Sequence, residues 1–159
     1  MEEEKILDRL ERRFPGRIRE LSPLPGDESA VLDRNALLEV VAFLRQPPQD
    51  FGMLLDLTCV DYFPREPRFE MVYHFFSLAG PRRLRLKTPL AEGDLRIASL
   101  TPFWKNADWL EREVFDLFGV EFDGHPDLRR LFMYEGFEGH PLRKDYPLRR
   151  RQPRIKMRE

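Results

Sequence analysis

The sequence predicts an α+β domain: a mostly antiparallel sheet, built from a meander and an N-terminal hairpin, packed with amphipathic helices and followed by an extended wrapping segment. Three observations predict it. The middle of the chain holds consecutive runs rich in β-branched and aromatic residues, 53–62, 69–78 and 83–88, separated by Pro64-Arg65-Glu66-Pro67 and Gly80-Pro81. Links that short join antiparallel neighbours. Segments on either side carry apolar residues at helical spacing. Beyond residue 121 that periodicity stops, and Gly, His, Pro and Arg punctuate the chain.

Each element has a local reason. Residues 3–14 place Ile6, Leu7, Leu10 and Phe14 on one face of a short helix that Pro15-Gly16 stops. Strands at 17–21 and 28–32 flank the turn-rich stretch 22–27 and pair as a hairpin. Asp33 caps a helix reaching about Arg45, with Leu37, Leu38, Val41, Phe43 and Leu44 inward, and Pro47-Pro48 forbids its continuation. In the third run of the meander, Leu84, Leu86 and Thr88 alternate with Arg83, Arg85 and Lys87, giving one buried and one basic side. The basic stripe reads as a solvated edge that resists aggregation, with a docking patch as its alternative.

Composition bounds the function. The 159 residues are 42% hydrophobic with 13 Phe, enough for one domain with a real core. Formal net charge is −1, so no global field draws the chain to nucleic acid or an anionic membrane. Charge is uneven, however: from Pro141 onward there are eight basic residues against Asp145 and Glu159. The expected organisation is a compact body at 1–121, a wrapping segment of the same domain at 122–148 and a basic tail at 149–159. The single cysteine, Cys59, excludes a disulfide framework or a multi-thiolate cluster within this chain, and its apolar strand makes it a core residue. No apolar run approaches a membrane span, and the N-terminus lacks a secretory pattern, so membrane contact is expected through partners.

The helix at 108–118 is the most informative element. Asp108 and Glu111 have capping-box spacing, and Gly119 suits a left-handed stop. Leu110, Val114, Leu117 and Phe118 form an apolar face, whereas Trp109 and Phe115 lie outside it, flanking Arg112 and Asp116. Two large aromatics off the apolar stripe need covering by a partner surface, by the following loop, or by both. Arg112 and Asp116 are spaced to pair along the helix.

A near repeat follows, Phe122-Asp123-Gly124-His125-Pro126 with Leu128-Arg129, then Phe137-Glu138-Gly139-His140-Pro141 with Leu142-Arg143. Gly permits a positive φ, His-Pro extends the chain, and Leu-Arg sets an apolar anchor beside a fork of donors. His74, His125 and His140, with Asp123, Asp127, Glu138 and Asp145, have donor types that suit zinc, but their spacing matches no standard ligand pattern. They read as hydrogen-bonding turn residues. Glu111 and Glu113 lie on opposite flanks of the helix, and no phosphate loop or nucleophile elbow is present. The residues offer binding and no evident chemistry.

These residues carry a resemblance. Glu111-Arg112-Glu113, Asp116-Leu117-Phe118, His125 and Arg129, together with the run Asp56-Leu57-Thr58-Cys59-Val60-Asp61-Tyr62, resemble the 30 kDa (C) subunit family of respiratory NADH:quinone oxidoreductase, complex I, over residues 51–148. The resemblance implies a non-catalytic subunit of the peripheral arm, docked on the large hydrogenase-like (D) subunit near the quinone site, at the cytoplasmic face of the bacterial plasma membrane. It implies no cofactor in this chain, with FMN and iron–sulfur clusters in partner subunits. The implied interface comprises Trp109, Glu111, Arg112, Glu113, Phe115 and Asp116 on the helix, and His125, Arg129, His140, Arg143, Lys144, Asp145 and Tyr146 beyond it. Related subunits serve membrane-bound hydrogenases and other donor-specific complexes. The competing reading is a stand-alone module whose basic tail binds RNA or another anion.

Overall fold

The computed structural model describes residues 5–24 and 26–155. In chain order its elements are α1 (Ile6–Arg13), β1 (Ile18–Ser22), β2 (Ser29–Leu32), α2 (Leu37–Arg45), β3 (Met53–Asp61), β4 (Phe69–Ser77), β5 (Arg82–Leu90), β6 (Arg96–Ala98), α3 (Ala107–Phe118) and β7 (Glu121–Asp123). Two 3-10 turns, Arg34–Ala36 and Glu92–Asp94, lead into α2 and β6. The first residues of the expected N-terminal helix and the end of the basic tail lie outside the described residues.

A five-stranded sheet in the order β1-β2-β5-β4-β3 organises the domain. The hairpin and the antiparallel meander both form as the sequence predicts. What joins them is a parallel pairing of β2 with β5, Ala30 opposite Leu86. A parallel pair needs a crossover connection, and the intervening chain, with α2 and the other meander strands, supplies it. β2 thus lies between two neighbours, and all four of its residues are buried.

The helices cover one face of this sheet. Alternation along the meander delivers Leu54, Leu57 and Cys59, then Phe69, Met71, Tyr73 and Phe75, then Leu84, Leu86 and Leu90 to a shared core. Each such large side chain fully withdrawn from water stabilises by about 1.5–3 kcal/mol. The opposite side of β5 keeps Arg83 exposed, while Arg85 pairs with Asp27 at 2.6 Å and Lys87 lies 3.8 Å from Glu70. Burial pushes the Cys59 thiol up to about 12, so at neutral pH it is a small apolar core residue.

Two local expectations are corrected. Asp33 accepts from the Asn35 N–H, but it caps the 3-10 turn and not α2 directly. That turn resets the helix phase, so Leu37, Val40, Val41 and Leu44 face the core and Leu38 is exposed. Phe43 remains partly buried, edge-on to Phe14 at 5.6 Å.

A second sheet, parallel and two-stranded, pairs β6 with β7, Ile97 opposite Phe122. Its strands are three residues each, too short to show a period of two in the sequence. It fixes both ends of α3, which packs across β3. The indole of Trp104 donates to the Gly52 carbonyl at 2.8 Å and Asn106 to the Leu54 carbonyl at 2.9 Å, holding the approach to α3 against β3. From residue 124 to 155 the described chain contains no further helix or strand.

Candidate functional site

The core stripe of α3 is Ala107, Glu111, Val114 and Phe118, so a carboxylate sits within it; Arg112 and Asp116 are buried as well. A buried charge is tolerated when its hydrogen-bonding capacity is filled, and each of these three groups finds partners in loop backbone, with the Ser99 hydroxyl and the Arg130 guanidinium adding to those of Glu111 and Asp116. Glu111 accepts from the Leu100 N–H at 2.6 Å and from the Ser99 hydroxyl at 2.7 Å. The expected capping box therefore does not form: Asn106 occupies the cap position without a side-chain cap, and Glu111 is drawn to the loop after β6. Burial pushes the Glu111 carboxyl up to about 7, against the opposing pull of those two hydrogen bonds.

Arg112 and Asp116 do not pair with each other but turn to the segment that follows β7. Arg112 donates from Nε to the Arg129 carbonyl at 3.1 Å and from Nη2 to the Arg130 carbonyl at 3.3 Å. Asp116 Oδ2 accepts three successive N–H groups, from Leu131 at 3.0 Å, Phe132 at 2.7 Å and Met133 at 2.9 Å. Its Oδ1 takes the Arg130 guanidinium at 2.8 Å. Burial alone would raise the Asp116 carboxyl, but these donors outweigh it and hold it below the ordinary range.

The two halves of the near repeat grip opposite ends of α3. Gly124 and Gly139 take φ of 85° and 88°, as the turns require. The ring of His125 is fully buried, and its Nδ1 accepts from the Asp127 N–H at 3.0 Å. The ring proton is thereby placed on Nε2, which donates to the Asp108 carbonyl at 3.2 Å; Glu111 Oε2 is 3.9 Å away. At the other end, His140 Nδ1 donates to the Asp116 carbonyl at 3.0 Å, and burial holds that imidazole below its usual pKa. Leu142 N–H and Arg143 Nε then cap the Leu117 and Phe118 carbonyls at 3.1 Å and 2.7 Å. Donors, one of them cationic, thus meet the carbonyls that the last helical turn leaves open. Gly119 ends α3 at φ 79°, where an added Cβ would lie 2.6 Å from His140 Nε2 and 2.7 Å from Arg143 Nη2.

A third anchor joins this assembly to the main sheet. Arg68 is 2% exposed and forms a two-pronged pair with Asp61, at 2.9 Å and 2.8 Å. It also reaches Asp145 at 2.6 Å and Glu92 at 2.7 Å, with its guanidinium 4.8 Å from the ring centres of both Phe63 and Phe69. Asp61 accepts additionally from the Lys144 and Phe63 N–H groups, at 2.8 Å and 2.9 Å. The Arg68 guanidinium, and after it these N–H donors, hold the Asp61 carboxyl far below the usual carboxylate range.

The sequence-derived residues therefore divide. Arg112, Asp116, His125, His140, Arg143 and Asp145 are brought together as internal fasteners of the segment against α3 and β3, and Glu111 fastens the loop after β6 to α3. Tyr146 is half-buried, stacked on Phe137 at 6.3 Å. Trp109 is 60% exposed with Arg112 5.1 Å from its ring centre, while Phe115 is half-buried against the core and Glu113 half-exposed. Arg129 faces solvent and pairs with Asp127 at 2.8 Å, and Lys144 is exposed. Sequence reasoning missed Arg68, Arg130 and the partner role of Asp61. A signal existed for Asp61: it continues the inward register of Leu57 and Cys59, and a charge on an apolar face calls for a buried partner.

In this α+β domain the buried charges fasten an irregular segment onto one helix and fix the surface that the two present together. Comparison with known proteins places it. Residues 30–152 match the family model described as respiratory-chain NADH dehydrogenase, 30 Kd subunit. The C subunit of NADH-quinone oxidoreductase from Trichlorobacter lovleyi is 47% identical over 145 residues, covering 91% of this chain and 89% of that one. The solved trypsin-resistant fragment (1–134) of Nqo5 is 36% identical with a TM-score of 0.66, covering 77% of this chain and 98% of the fragment. A chain of the archaeal membrane-bound sulfane sulfur reductase shares the fold, with a TM-score of 0.76 at 22% identity, covering 90% of this chain and 84% of that one. The chain belongs to the family of the 30 kDa (C) subunit of NADH-quinone oxidoreductase, complex I.

Three outcomes test the fasteners. Gly119→Ala is expected to cost about 1–3 kcal/mol in urea denaturation, from backbone strain and the displaced His140 and Arg143; a change under roughly 0.5 kcal/mol would contradict this. Glu111 titrates at 4.5 when unfolded and at about 7 when folded, so the folded state holds the extra proton between these values. The associated stabilisation is complete below 4.5 and is lost as pH rises through 7. Glu111→Gln should remove that slope, worth roughly 3 kcal/mol across the window, and a variant as pH-sensitive as the wild type would refute the assignment. Arg68→Met leaves Asp61 buried without its cation and should cost about 3–5 kcal/mol. The same variant frees Asp145, so trypsin should cut after Arg143 or Lys144 sooner than in the wild type; an unchanged melt and digestion rate would exclude the tether.

Proposed function

We propose that this subunit of NADH-quinone oxidoreductase works as a non-catalytic scaffold of the peripheral arm, docking on the large hydrogenase-like (D) subunit near the quinone site. In this reading the complex sits at the cytoplasmic face of the bacterial plasma membrane, and FMN and iron–sulfur clusters belong to partner chains. Residues 1–121 are the body, 122–148 shape the docking surface and 149–159 extend it. No helix among the described residues is long and apolar enough to cross a membrane, which suits attachment through partners.

One observation carries the docking surface. Trp109 is 60% exposed on α3, and the wrapping segment beside it exposes Phe132 to 60% and Leu142 to 52%. Arg112 links the helix to the segment, lying by the Trp109 ring while holding the Arg129 and Arg130 carbonyls. Asp116 likewise fixes the backbone under Phe132. Large aromatics held out in water on a fastened backbone are the features that anchor protein interfaces. Trp109, Glu113, Phe115, Arg129 and Lys144 supply the contacts in this proposal. Glu111, Arg112, Asp116, His125, His140, Arg143, Asp145 and Tyr146 support them from beneath.

The test separates docking from folding. Trp109→Ala should change the stability of the isolated full chain by about 1 kcal/mol or less, because its cation–π contact with Arg112 is at the surface. In gently solubilised membranes, native electrophoresis should show much less of the variant migrating with a hydrogenase-like subunit. Arg112→Ala is a poorer probe, since losing Arg112 loosens residues 129–130 as well. Wild-type recovery of the Trp109 variant in the complex would reject this face as the docking surface.

A further inference from the structure

Where α3, the loop after β6 and the first His-Pro turn meet, a carboxyl group and an imidazole face each other out of reach of water. The side chains of Glu111 and His125 are both fully buried. Three acceptors surround His125 Nε2: the Asp108 carbonyl at 3.2 Å, Asp108 Oδ1 at 3.3 Å and Glu111 Oε2 at 3.9 Å. The one proton on that nitrogen serves the carbonyl, and Asp108 Oδ1 is buried without a hydrogen bond among the described residues. The other ring nitrogen is committed to the Asp127 N–H. From the main sheet, Tyr73 of β4 faces Glu111 with Cys59 of β3 beside it, and burial pushes the phenol far up and the thiol to about 12, so both are neutral. Among the described residues no arginine or lysine lies within ion-pair distance of Glu111.

Glu111 can hold or release a proton without losing a partner. Its Oε2 is 2.7 Å from Ser99 Oγ, which is 2.8 Å from Thr101 Oγ1, and either hydroxyl of that pair can be the donor. With the carboxyl protonated, Oε2 donates to Ser99 and Ser99 to Thr101. With the carboxylate, Thr101 donates to Ser99 and Ser99 to Oε2. Reversing the chain passes one proton from Oε2 through Ser99 to the half-buried Thr101 and on to solvent, and each hydroxyl still keeps one. Because burial raises the carboxyl to about 7, both states are reached near neutral pH.

The two states differ in what they offer His125. A buried carboxylate is a stronger acceptor than a peptide carbonyl, and it repels the carboxylate of Asp108. The Asp108 side chain is 38% exposed and can turn to water, whereas Glu111 has no such exit. A ring movement of about 1 Å brings Nε2 within hydrogen-bonding distance of Glu111. We infer that Glu111 is a proton-binding site that switches the partner of His125: loaded, it leaves the Nε2 proton on the Asp108 carbonyl, and unloaded, it draws that proton to its own carboxylate. The first turn of the wrapping segment is thereby held on α3 in one of two positions, selected by pH.

The experiment follows the ring nitrogens of His125 and the Nε2 proton by NMR in the isotopically labelled full chain as pH is raised. In the wild type the Nε2 proton should move downfield with a midpoint close to 7, while both nitrogens keep the signature of a neutral ring. Glu111→Gln keeps the shape of the side chain and never ionises, so it should abolish the movement. Ser99→Ala removes a donor that favours the carboxylate and should shift the midpoint upward by about one pH unit. A wild-type resonance without such a midpoint overturns the inference. So does a midpoint that survives Glu111→Gln, or one at which the ring itself takes up a proton. Where Glu111→Gln does not fold, an unmoved midpoint in Ser99→Ala overturns it instead.

Discussion

Everything beyond β7 depends on one constraint: more than thirty residues without helix or strand must still satisfy their backbone polar groups where they are buried. α3 meets that need with charged side chains. The Asp116 carboxylate takes three consecutive N–H groups and a guanidinium, and Arg112 donates to two carbonyls. Hydrogen bonds to ionised groups contribute about 1.5–3 kcal/mol each, and an unmade one leaves a buried charge stranded. The helix and the segment are therefore mutually obligatory. Neither has a satisfactory buried surface without the other.

The same logic explains where the attachment points fall. The two His-Pro turns meet α3 at Asp108 and Asp116, and Arg143 closes the last carbonyl, so the segment is fixed at both helix ends and along the middle. Arg68 then ties Asp145 to Asp61 at the end of β3. Removing a pair of this kind and replacing it by apolar groups need not lower stability, because desolvation offsets much of the attraction. What the charges add is register: a forked guanidinium among three carboxylates and two aromatic rings accepts one position of the segment, whereas apolar packing would tolerate slippage.

Much of this was legible in the sequence. The meander, the hairpin and the helix stop at Gly119 follow from period, turn residues and capping rules that act within a few residues. The near repeat was legible too, and the structure gives both histidines the same kind of partner, a helix carbonyl. What stayed hidden was long-range. Nothing local distinguishes Arg130 from Arg129, yet the first locks Asp116 while the second faces solvent. The parallel seam between β2 and β5 depends on which edge of the meander is free, not on either strand's own residues. Glu111 looked like half of a capping box because spacing three is shared by a cap and by a core stripe; the loop carrying Ser99 and Leu100 decided between them.

The described charges that are buried act on the chain's own backbone and on one another; Asp116 fixes the backbone under the exposed Phe132, and Arg112 lies against the exposed ring of Trp109. Such a design couples the fold to the exposed surface: shifting Arg112 moves the ring of Trp109 and the carbonyls of residues 129 and 130 together. Rigidity of this kind would lower the ordering cost of an association made through that surface. On the docking reading proposed above, loss of a buried fastener and loss of a surface anchor would both end as a missing subunit, through different steps. The first would empty the folded pool before assembly begins, and the second would leave a folded chain that does not dock.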